Sequence, residues 1–179
     1  FSRQSLDRNM RELVENYNEV VARFRSEGGD PATYIKESTG RVSWVQNLIK
    51  DLERGRDGVY EAHSIQQGLY RPFQKKWVYT GKQFIWSAYG LREVFPQDFE
   101  NRAIAVSGPG GSRFSCFAVN RIPDRQFLLN AVFFPRYRRT SSTPELSLFE
   151  PEREDAISDE SLRHFSGAFG REISGDELF

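Results

Sequence analysis

The sequence predicts an α+β fold: an N-terminal helical segment, a mixed and mainly antiparallel β domain, and a C-terminal helix. Residues 1–55 repeat apolar side chains at helical spacing, with glycines between the repeats. From Val59 onwards, short runs of β-branched and aromatic residues alternate with turn residues. The chain has 179 residues, of which 38% are hydrophobic, so it is long enough to bury a core.

Three helices are predicted in residues 1–55, each with a capping side chain, one apolar stripe and a glycine at its end. The first stripe runs from Leu6 to Phe24 and the third from Trp44 to Leu52, and a short second helix begins at Pro31. We interpret the stripes as core or as contact with another domain. The predicted caps are Ser5, Asp30 and Ser43, and the predicted ends are Gly28, Gly40 and Gly55.

The β domain is predicted in the middle of the chain, residues 56–139. Pro72 marks an entry turn, and a hairpin is predicted after it. A short helix is predicted over Tyr89–Phe95, because Pro96 would end it. The predicted strands are Val59–Ala62, Lys76–Tyr79, Gln83–Trp86, Arg102–Ser107, Phe114–Val119 and Ala131–Phe134, with the second and third forming the hairpin.

The end of the chain, residues 140–179, is predicted to be an acidic loop and a helix. Thr140–Asp155 is polar and contains two prolines, whereas Ser158–Phe169 has a cap and helical spacing. Ser174 and Glu177 have the spacing of a capping box, so another helix is predicted to begin where the chain stops. We therefore expect a truncated piece of a longer protein.

Charge is distributed unevenly along a chain whose formal net charge is zero. Residues 55–139 carry 13 cationic and 6 anionic side chains, a net charge of +7. Residues 140–179 carry 3 cationic and 10 anionic side chains, a net charge of −7. A basic segment with interleaved aromatic residues indicates a polyanionic partner. The alternative is that the acidic end packs on the basic middle and cancels its charge.

No catalytic constellation or metal site is recognisable. The glycine-rich loop Ser107–Arg113 lacks the lysine of a P-loop and is followed by a strand pattern. Cys116 is predicted to be a buried core thiol, and His63 and His164 show no zinc spacing. A single cysteine cannot form an intrachain disulfide, and no run is apolar enough to span a membrane, so we expect a cytoplasmic protein.

The candidate DNA contacts are cations beside aromatic residues or turns. Tyr70–Tyr79 combines four aromatics with three cations, which suits phosphates and base faces; alternatively, its rings fill a core. Tyr137 lies among three arginines, whose planar donors suit phosphate or guanine, unless they are a solvated strand end. Arg121 and Asp124 alternatively pair locally. The candidates are Arg71, Lys75, Lys76, Arg113, Arg121, Arg125, Arg136, Arg138 and Arg139.

Several separated motifs give the chain a family resemblance. LYRPFQKKWVYTGKQF is followed in order by LREVFPQ, IAVSGPGGSRFSCFAVNRIPD and VFFPRY. These motifs resemble the C-terminal specificity region of type ISP restriction–modification enzymes, which are single polypeptides that depend on ATP. Predicted helicases of mobile elements share the region. The first fifty residues also resemble the segment that precedes YRPF in that family, so the resemblance covers most of the chain.

The resemblance implies a non-catalytic fragment that recognises a sequence in duplex DNA for a larger enzyme. In that family a nuclease, an ATPase and an adenine-N6 methyltransferase lie upstream. S-adenosylmethionine, ATP and Mg²⁺ are therefore expected for the parent, and no cofactor for this piece. Residues 1–55 would couple to the methyltransferase, residues 56–139 would form the specificity core, and residues 140–179 the acidic end.

Two other functions remain compatible with the residues. One is an interdomain docking module that has no DNA contact of its own. The other is an enzyme that uses the glycine-rich loop as an anion site. Arg138 and Arg139 lie where members of the family vary, so the resemblance does not identify the base-reading side chains.

Overall fold

The computed structural model of the chain describes residues 2–85, 90, 94–95, 99–109, 113–124, 127–128, 130–139 and 153–179. It divides into two compact units. The first contains residues 1–67 and 76–88, and the second contains residues 68–75 and 89–179. The α+β class is confirmed, since helices precede mainly antiparallel sheets and a C-terminal helix. The functional division at residues 55 and 139 stays a prediction.

The first unit begins with a long helix, α1 (Arg3–Glu27). Its N-cap is Ser2, whose hydroxyl oxygen accepts the Ser5 N–H at 3.0 Å. The prediction that Ser5 caps this helix was therefore wrong by three residues. Both serines carry the capping hydroxyl, and Ser2 lets the helix begin almost one turn earlier.

Two short helices follow, α2 (Pro31–Ser38) and α3 (Gln46–Glu53). Asp30 caps α2 as predicted, by accepting the Ala32 N–H at 3.0 Å. The predicted Ser43 cap of α3 was wrong, because Val45 precedes the helix and provides no side-chain cap. The indole of Trp44 instead donates to the Ser38 hydroxyl at 3.2 Å, which holds this part of the chain on α2.

The core of the first unit surrounds Tyr17, which is fully buried. Its hydroxyl donates to the Arg56 carbonyl at 2.9 Å, and its ring meets Phe84 edge-on at 6.1 Å. Gly58 packs directly on these rings: a Cβ there would lie 2.7 Å from Phe84 and 2.9 Å from Tyr17. Ten buried residues form this core: Val14, Tyr17, Val21, Tyr34, Val42, Leu48, Leu52, Ile65, Tyr79 and Phe84.

The hairpin of the chain differs from the predicted one. It consists of β1 (Ile65–Arg71) and β2 (Gln74–Tyr79), and β1 also pairs with the short strand β5 (Ile122–Pro123). The predicted return strand Gln83–Trp86 was wrong, because Lys82–Phe84 is a 3₁₀ turn whose Phe84 enters the first core; Trp86 lies outside the described residues. The predicted strand Val59–Ala62 is also absent, and Ala62 starts another 3₁₀ turn.

A three-stranded antiparallel sheet forms the centre of the second unit. Its strands are β3 (Ala103–Val106), β4 (Cys116–Val119) and β6 (Val132–Pro135), with β3 in the middle. Three predicted strands are thus confirmed: β3 and β4 are shorter than predicted, and β6 is shifted by one residue. One face packs on a core of Phe95, Ala103, Ala105, Val119 and Phe127.

Cys116 lies on the opposite face of this sheet and is exposed. The prediction of a buried thiol was wrong because Phe117 and Val119 take the core side of β4, and successive side chains of a strand point to opposite faces. Cross-strand neighbours in the ladder share a face. The outer face is therefore formed by Ile104, Val106, Cys116, Ala118, Val132 and Phe134.

The chain ends with β7 (Tyr137–Arg139), β8 (Arg153–Asp155), α4 (Asp159–Phe169) and α5 (Gly175–Leu178). Ser158 caps α4, and Ser174 and Glu177 form a reciprocal capping box, both as predicted. The predicted loop Thr140–Asp155 was wrong at its end, because Arg153–Asp155 forms β8 by pairing with β7. The rest of this predicted loop and most of the predicted helix Tyr89–Phe95 lie outside the described residues. Among the helices of the described ranges, none is long and apolar enough to cross a membrane.

Tyr17→Phe is expected to lower the free energy of unfolding by about 1 kcal/mol, because the Arg56 carbonyl loses its buried donor. Urea unfolding followed by tryptophan fluorescence measures the change. An unchanged midpoint would show that the hydroxyl is solvated and that the first core does not depend on this hydrogen bond.

Candidate nucleic-acid interface

The turn of the β1–β2 hairpin presents aromatic and cationic side chains at the surface of the second unit. We call Tyr70–Lys75 the hairpin tip. Pro72 and Phe73 form its turn, and Phe73 has φ of 67° with a 90% exposed side chain. The Arg71 guanidinium lies 4.5 Å from the centre of the Tyr70 ring. Lys75 and the following Lys76 are exposed on β2.

The strand β5 supports the hairpin tip through parallel pairing with β1. The register joins Gly68 to Ile122 and Leu69 to Pro123. The Asp124 N–H then donates to the Leu69 carbonyl at 2.7 Å. This arrangement also brings the Asp124 carboxylate within 3.6 Å of the Arg71 guanidinium.

Two further candidates belong to the turn around β5. Arg121 directly precedes the strand and is half-buried, and its Nε atom has no hydrogen-bond partner among the described residues. Arg125 lies outside the described residues. Asp124 lies close to Arg71, so an ion pair between Asp124 and Arg121 within this turn would be additional to that contact.

The loop between β3 and β4 is held at its base by a serine pair. The Ser107 N–H donates to the Ser115 carbonyl at 2.9 Å, and the Ser115 N–H donates to the Ser107 hydroxyl at 3.0 Å. Gly108 lies against the chain at Asn130, since a Cβ at Gly108 would be 2.1 Å from the Asn130 carbonyl oxygen. This base leaves Arg113 exposed and Phe114 80% exposed. Residues 110–112 lie outside the described residues.

The strand β7 presents two of the three clustered arginines to solvent. Arg138 and Arg139 are exposed, and they lie opposite Glu154 and Arg153 of β8. Between them and the interior, the Tyr137 ring is flanked by the guanidinium groups of Arg136 at 4.5 Å and Arg153 at 4.6 Å. Both arginines therefore lie at the surface, where a ligand can reach them.

Arg136, by contrast, has a side chain that is only 6% exposed. Its guanidinium forms an ion pair with Asp155, and its Nε lies 3.3 Å from a carboxylate oxygen of Asp176. Burial lowers the pKa of Arg136, but the two carboxylates raise it above its usual value. Burial raises the pKa of Asp155, but the hydrogen bonds from Arg136 and from the Ile157 N–H hold it below its usual value.

These contacts give Arg136 a structural role in this geometry. It joins the start of β7 to β8 and α5, and Arg102 adds a second contact to Asp176 at 3.0 Å. Sequence reasoning placed it with Arg138 and Arg139 because it did not predict the bend at Arg136, which separates β6 from β7. The same reasoning did not single out Phe73 or Phe114, although both follow a proline or an arginine in a turn.

The described side chains can supply cations, planar donors and exposed rings. They contain no group of three or more His, Cys, Asp or Glu residues that could hold a metal ion. Cations and planar donors bind phosphate oxygens and base edges, and exposed rings stack on bases.

Comparison with known families and structures gives a consistent result. The family described as "Type ISP C-terminal specificity domain" matches residues 1–179. The comparison with curated proteins gives no match.

Three solved structures share the fold. The structure described as the DrdV–DNA complex has a TM-score of 0.81 at 24% identity and covers 99% of this chain. The LlaBIII enzyme, described as a type ISP restriction–modification enzyme bound to DNA, has a TM-score of 0.78 at 26% identity and covers 98%. A nuclease-deletion mutant of LlaGI in complex with a DNA substrate mimic has a TM-score of 0.77 at 21% identity and covers 93%. This chain spans only 17%, 11% and 16% of their respective lengths.

Gly175→Ala is expected to lower the free energy of unfolding by about 1–3 kcal/mol. A Cβ at this position would lie 2.4 Å from Nη2 of Arg136, so the guanidinium must move away from its carboxylates. Urea unfolding measures the effect. The matched control is Gly167→Ala in α4, where nothing lies within 4 Å and a gain of about 0.5–1 kcal/mol is expected. An equal change in the free energy of unfolding for the two variants would contradict the structural role of Arg136.

Proposed function

This chain belongs to the family of type ISP C-terminal specificity domains, and we propose that it recognises a target sequence in duplex DNA for a larger enzyme. The hairpin tip carries the proposal. Between Tyr70 and Lys76 the chain has three cations and no acidic residue, and the turn exposes an aromatic ring. This combination suits a ligand with both phosphates and stacked bases.

In the proposed binding, contacts with phosphates position the duplex, and contacts with base edges read its sequence. Exposed cations, namely Lys75, Lys76, Arg113, Arg138 and Arg139, contact phosphates and fix the register of the duplex. Arginines among them also have the donor geometry for base edges in the major groove. Arg71, Arg121 and Arg125 complete the proposed set, whereas Arg136 supports the strand from which Arg138 and Arg139 extend.

Three carboxylates of the described acidic end contact arginines other than these cations. Asp155 and Asp176 contact Arg136, and Asp176 also contacts Arg102. Glu177 pairs with Arg171 and the Ser174 backbone, which lowers its pKa to about 2. These three carboxylates are therefore engaged with arginines outside the proposed set of DNA contacts, which favours DNA binding over neutralisation of that surface by them.

Catalysis is proposed to take place in other parts of the parent polypeptide. The three similar structures are about six to nine times longer than the matched region. We place the nuclease, the ATPase and the adenine-N6 methyltransferase outside this chain, together with S-adenosylmethionine, ATP and Mg²⁺. Recognition by this domain would license their action. We place the parent in the cytoplasm, in keeping with the free Cys116 thiol of this chain.

Binding of the chain to random-sequence duplex DNA is expected to weaken steeply as salt rises. The double variant Arg138→Ala/Arg139→Ala is expected to reduce the slope of log affinity against log salt by up to about 1.8, since each lost phosphate contact removes about 0.9. The variant Lys75→Ala/Lys76→Ala should act similarly. Fluorescence anisotropy with a labelled duplex measures both.

The charge-matched control is Arg3→Ala/Arg8→Ala, which removes two exposed cations from α1. Its slope should equal that of the unmodified chain. A slope reduced as much by this control would show that binding follows overall charge and not the proposed surface. Absence of binding at low salt would overturn the proposed function of the chain.

A second candidate function, interdomain docking, is favoured by the outer face of the β4–β3–β6 sheet. Val132 is 41% exposed and Phe134 is 54% exposed on β6. Ile104 and Val106 of the central strand lie next to them, and Cys116 and Ala118 of β4 lie on the other side of that strand. A contiguous apolar face of this kind usually marks an interaction site. The proposed occupant is another part of the parent polypeptide, because the similar enzymes carry most of their length outside this region.

The alkylation rate of the Cys116 thiol shows whether this face of the sheet is covered. In the isolated chain its exposed thiol is expected to react rapidly with iodoacetamide. In the parent polypeptide we expect alkylation of the same peptide, measured by mass spectrometry, to be at least tenfold slower. Equal rates would contradict docking on this face, and protection of the isolated chain that grows with its concentration would indicate a second copy instead.

A further inference from the structure

Phe73 is the most exposed large apolar side chain among the described residues, with 90% of its surface open to solvent. Only one ring contact is found there, an edge-on approach to Phe117 with the ring centres 5.6 Å apart. A side chain in this position adds almost nothing to the burial of apolar surface. Its presence at the turn is therefore not explained by the stability of the second unit.

The backbone at Phe73 is also unfavourable for this residue. Its φ of 67° follows Pro72, as in a type II turn, where glycine or asparagine is preferred at the second central position. Among the described residues, only Asn130 shares a positive φ without being glycine, and asparagine tolerates this region. A bulky side chain held in such a conformation is typical of functional sites, where neighbouring structure imposes the strain.

The surroundings of the ring indicate what it contacts. Arg71 precedes it by two residues and Lys75 follows it by two, while Lys76 comes next. The Asp124 carboxylate lies 3.6 Å from the Arg71 guanidinium, and the segment from Tyr70 to Lys76 has no acidic residue of its own. A protein surface or a lipid tail would match the ring but not this excess of cations. Duplex DNA offers apolar base faces directly between its phosphates.

We propose that Phe73 is a wedge that inserts between adjacent base pairs of the bound duplex, while the flanking cations hold the phosphates on either side. The inference rests on the proposed function and extends it to a specific contact. Turn geometry places the ring at the outermost point of the hairpin, and the edge contact with Phe117 orients it before binding. Insertion unstacks one base step, so the wedge favours sites that deform easily.

The test uses the whole 179-residue chain with a short random-sequence duplex and with the same duplex carrying one abasic site. The unmodified chain is expected to bind the abasic duplex several-fold more tightly, because the gap removes the need to unstack a base pair. Phe73→Gly should bind the intact duplex roughly tenfold more weakly, since a lost base–aromatic stack costs that much, and should show no preference for the abasic site. Its salt slope should not change, because the ring is uncharged.

Two further variants control for folding and for general exposure of rings. Phe73→Trp keeps a stacking ring and should keep the abasic preference, whereas Phe169→Ala removes a 67% exposed ring from α4 and should change nothing. Phe73→Gly should also unfold at a higher urea concentration, because it relieves the positive φ. Stability that rises while affinity falls supports the wedge.

Two outcomes would overturn the wedge, and they differ in whether the proposed function also fails. If Phe73→Gly keeps both the affinity and the abasic preference of a chain that binds DNA with a steep salt slope, the wedge is wrong and the proposed function stands. If the unmodified chain shows no salt-dependent binding, the proposed function fails and the wedge fails with it.

Discussion

The buried guanidinium of Arg136 is the interaction on which the arrangement of the C-terminal segment depends. A charge that is almost fully buried is costly unless opposite charges and hydrogen bonds surround it. Asp155 and Asp176 supply these charges from two elements that lie far from Arg136 in sequence. Gly175 leaves the space that the guanidinium occupies. One side chain at the start of β7 thereby contacts both β8 and α5.

This arrangement explains how a chain of zero net charge can present a basic surface. Part of the −7 charge of residues 140–179 is directed at arginines that hold the fold together. The exposed cations at the hairpin tip and on β7 belong to the same unit but to different elements. The zero net charge therefore combines ion pairs that hold the C-terminal segment with exposed cations at the hairpin tip and on β7.

The sequence predicted those elements whose signals are local and missed those that depend on tertiary contacts. Asp30 and Ser174 cap helices because their side chains reach the backbone two or three residues ahead, which spacing reveals. The strand β1, by contrast, contains two glutamines and a glycine, and only its pairing with β2 and β5 makes it a strand. The sequence likewise did not show which side chains of β4 face the core, because a strand of four residues can place either alternate pair inward.

Prediction of the candidate site from sequence was limited in the same way, because the exposure and conformation of single side chains depend on tertiary contacts. The stretch around Pro72 was identifiable from composition, but its exposed and strained ring was not, since neither burial nor φ follows from residue type. Among the described residues, the large exposed apolar side chains lie mainly in the second unit, and Val59 is their single counterpart in the first. Within the described ranges, five buried side chains form the core of the second unit and ten form that of the first. A unit that leaves rings exposed and holds a phenylalanine at positive φ gives up stability of its own, and contacts with DNA and with the parent polypeptide can restore it. The first unit, with its fully buried Tyr17, has the packing expected of a scaffold.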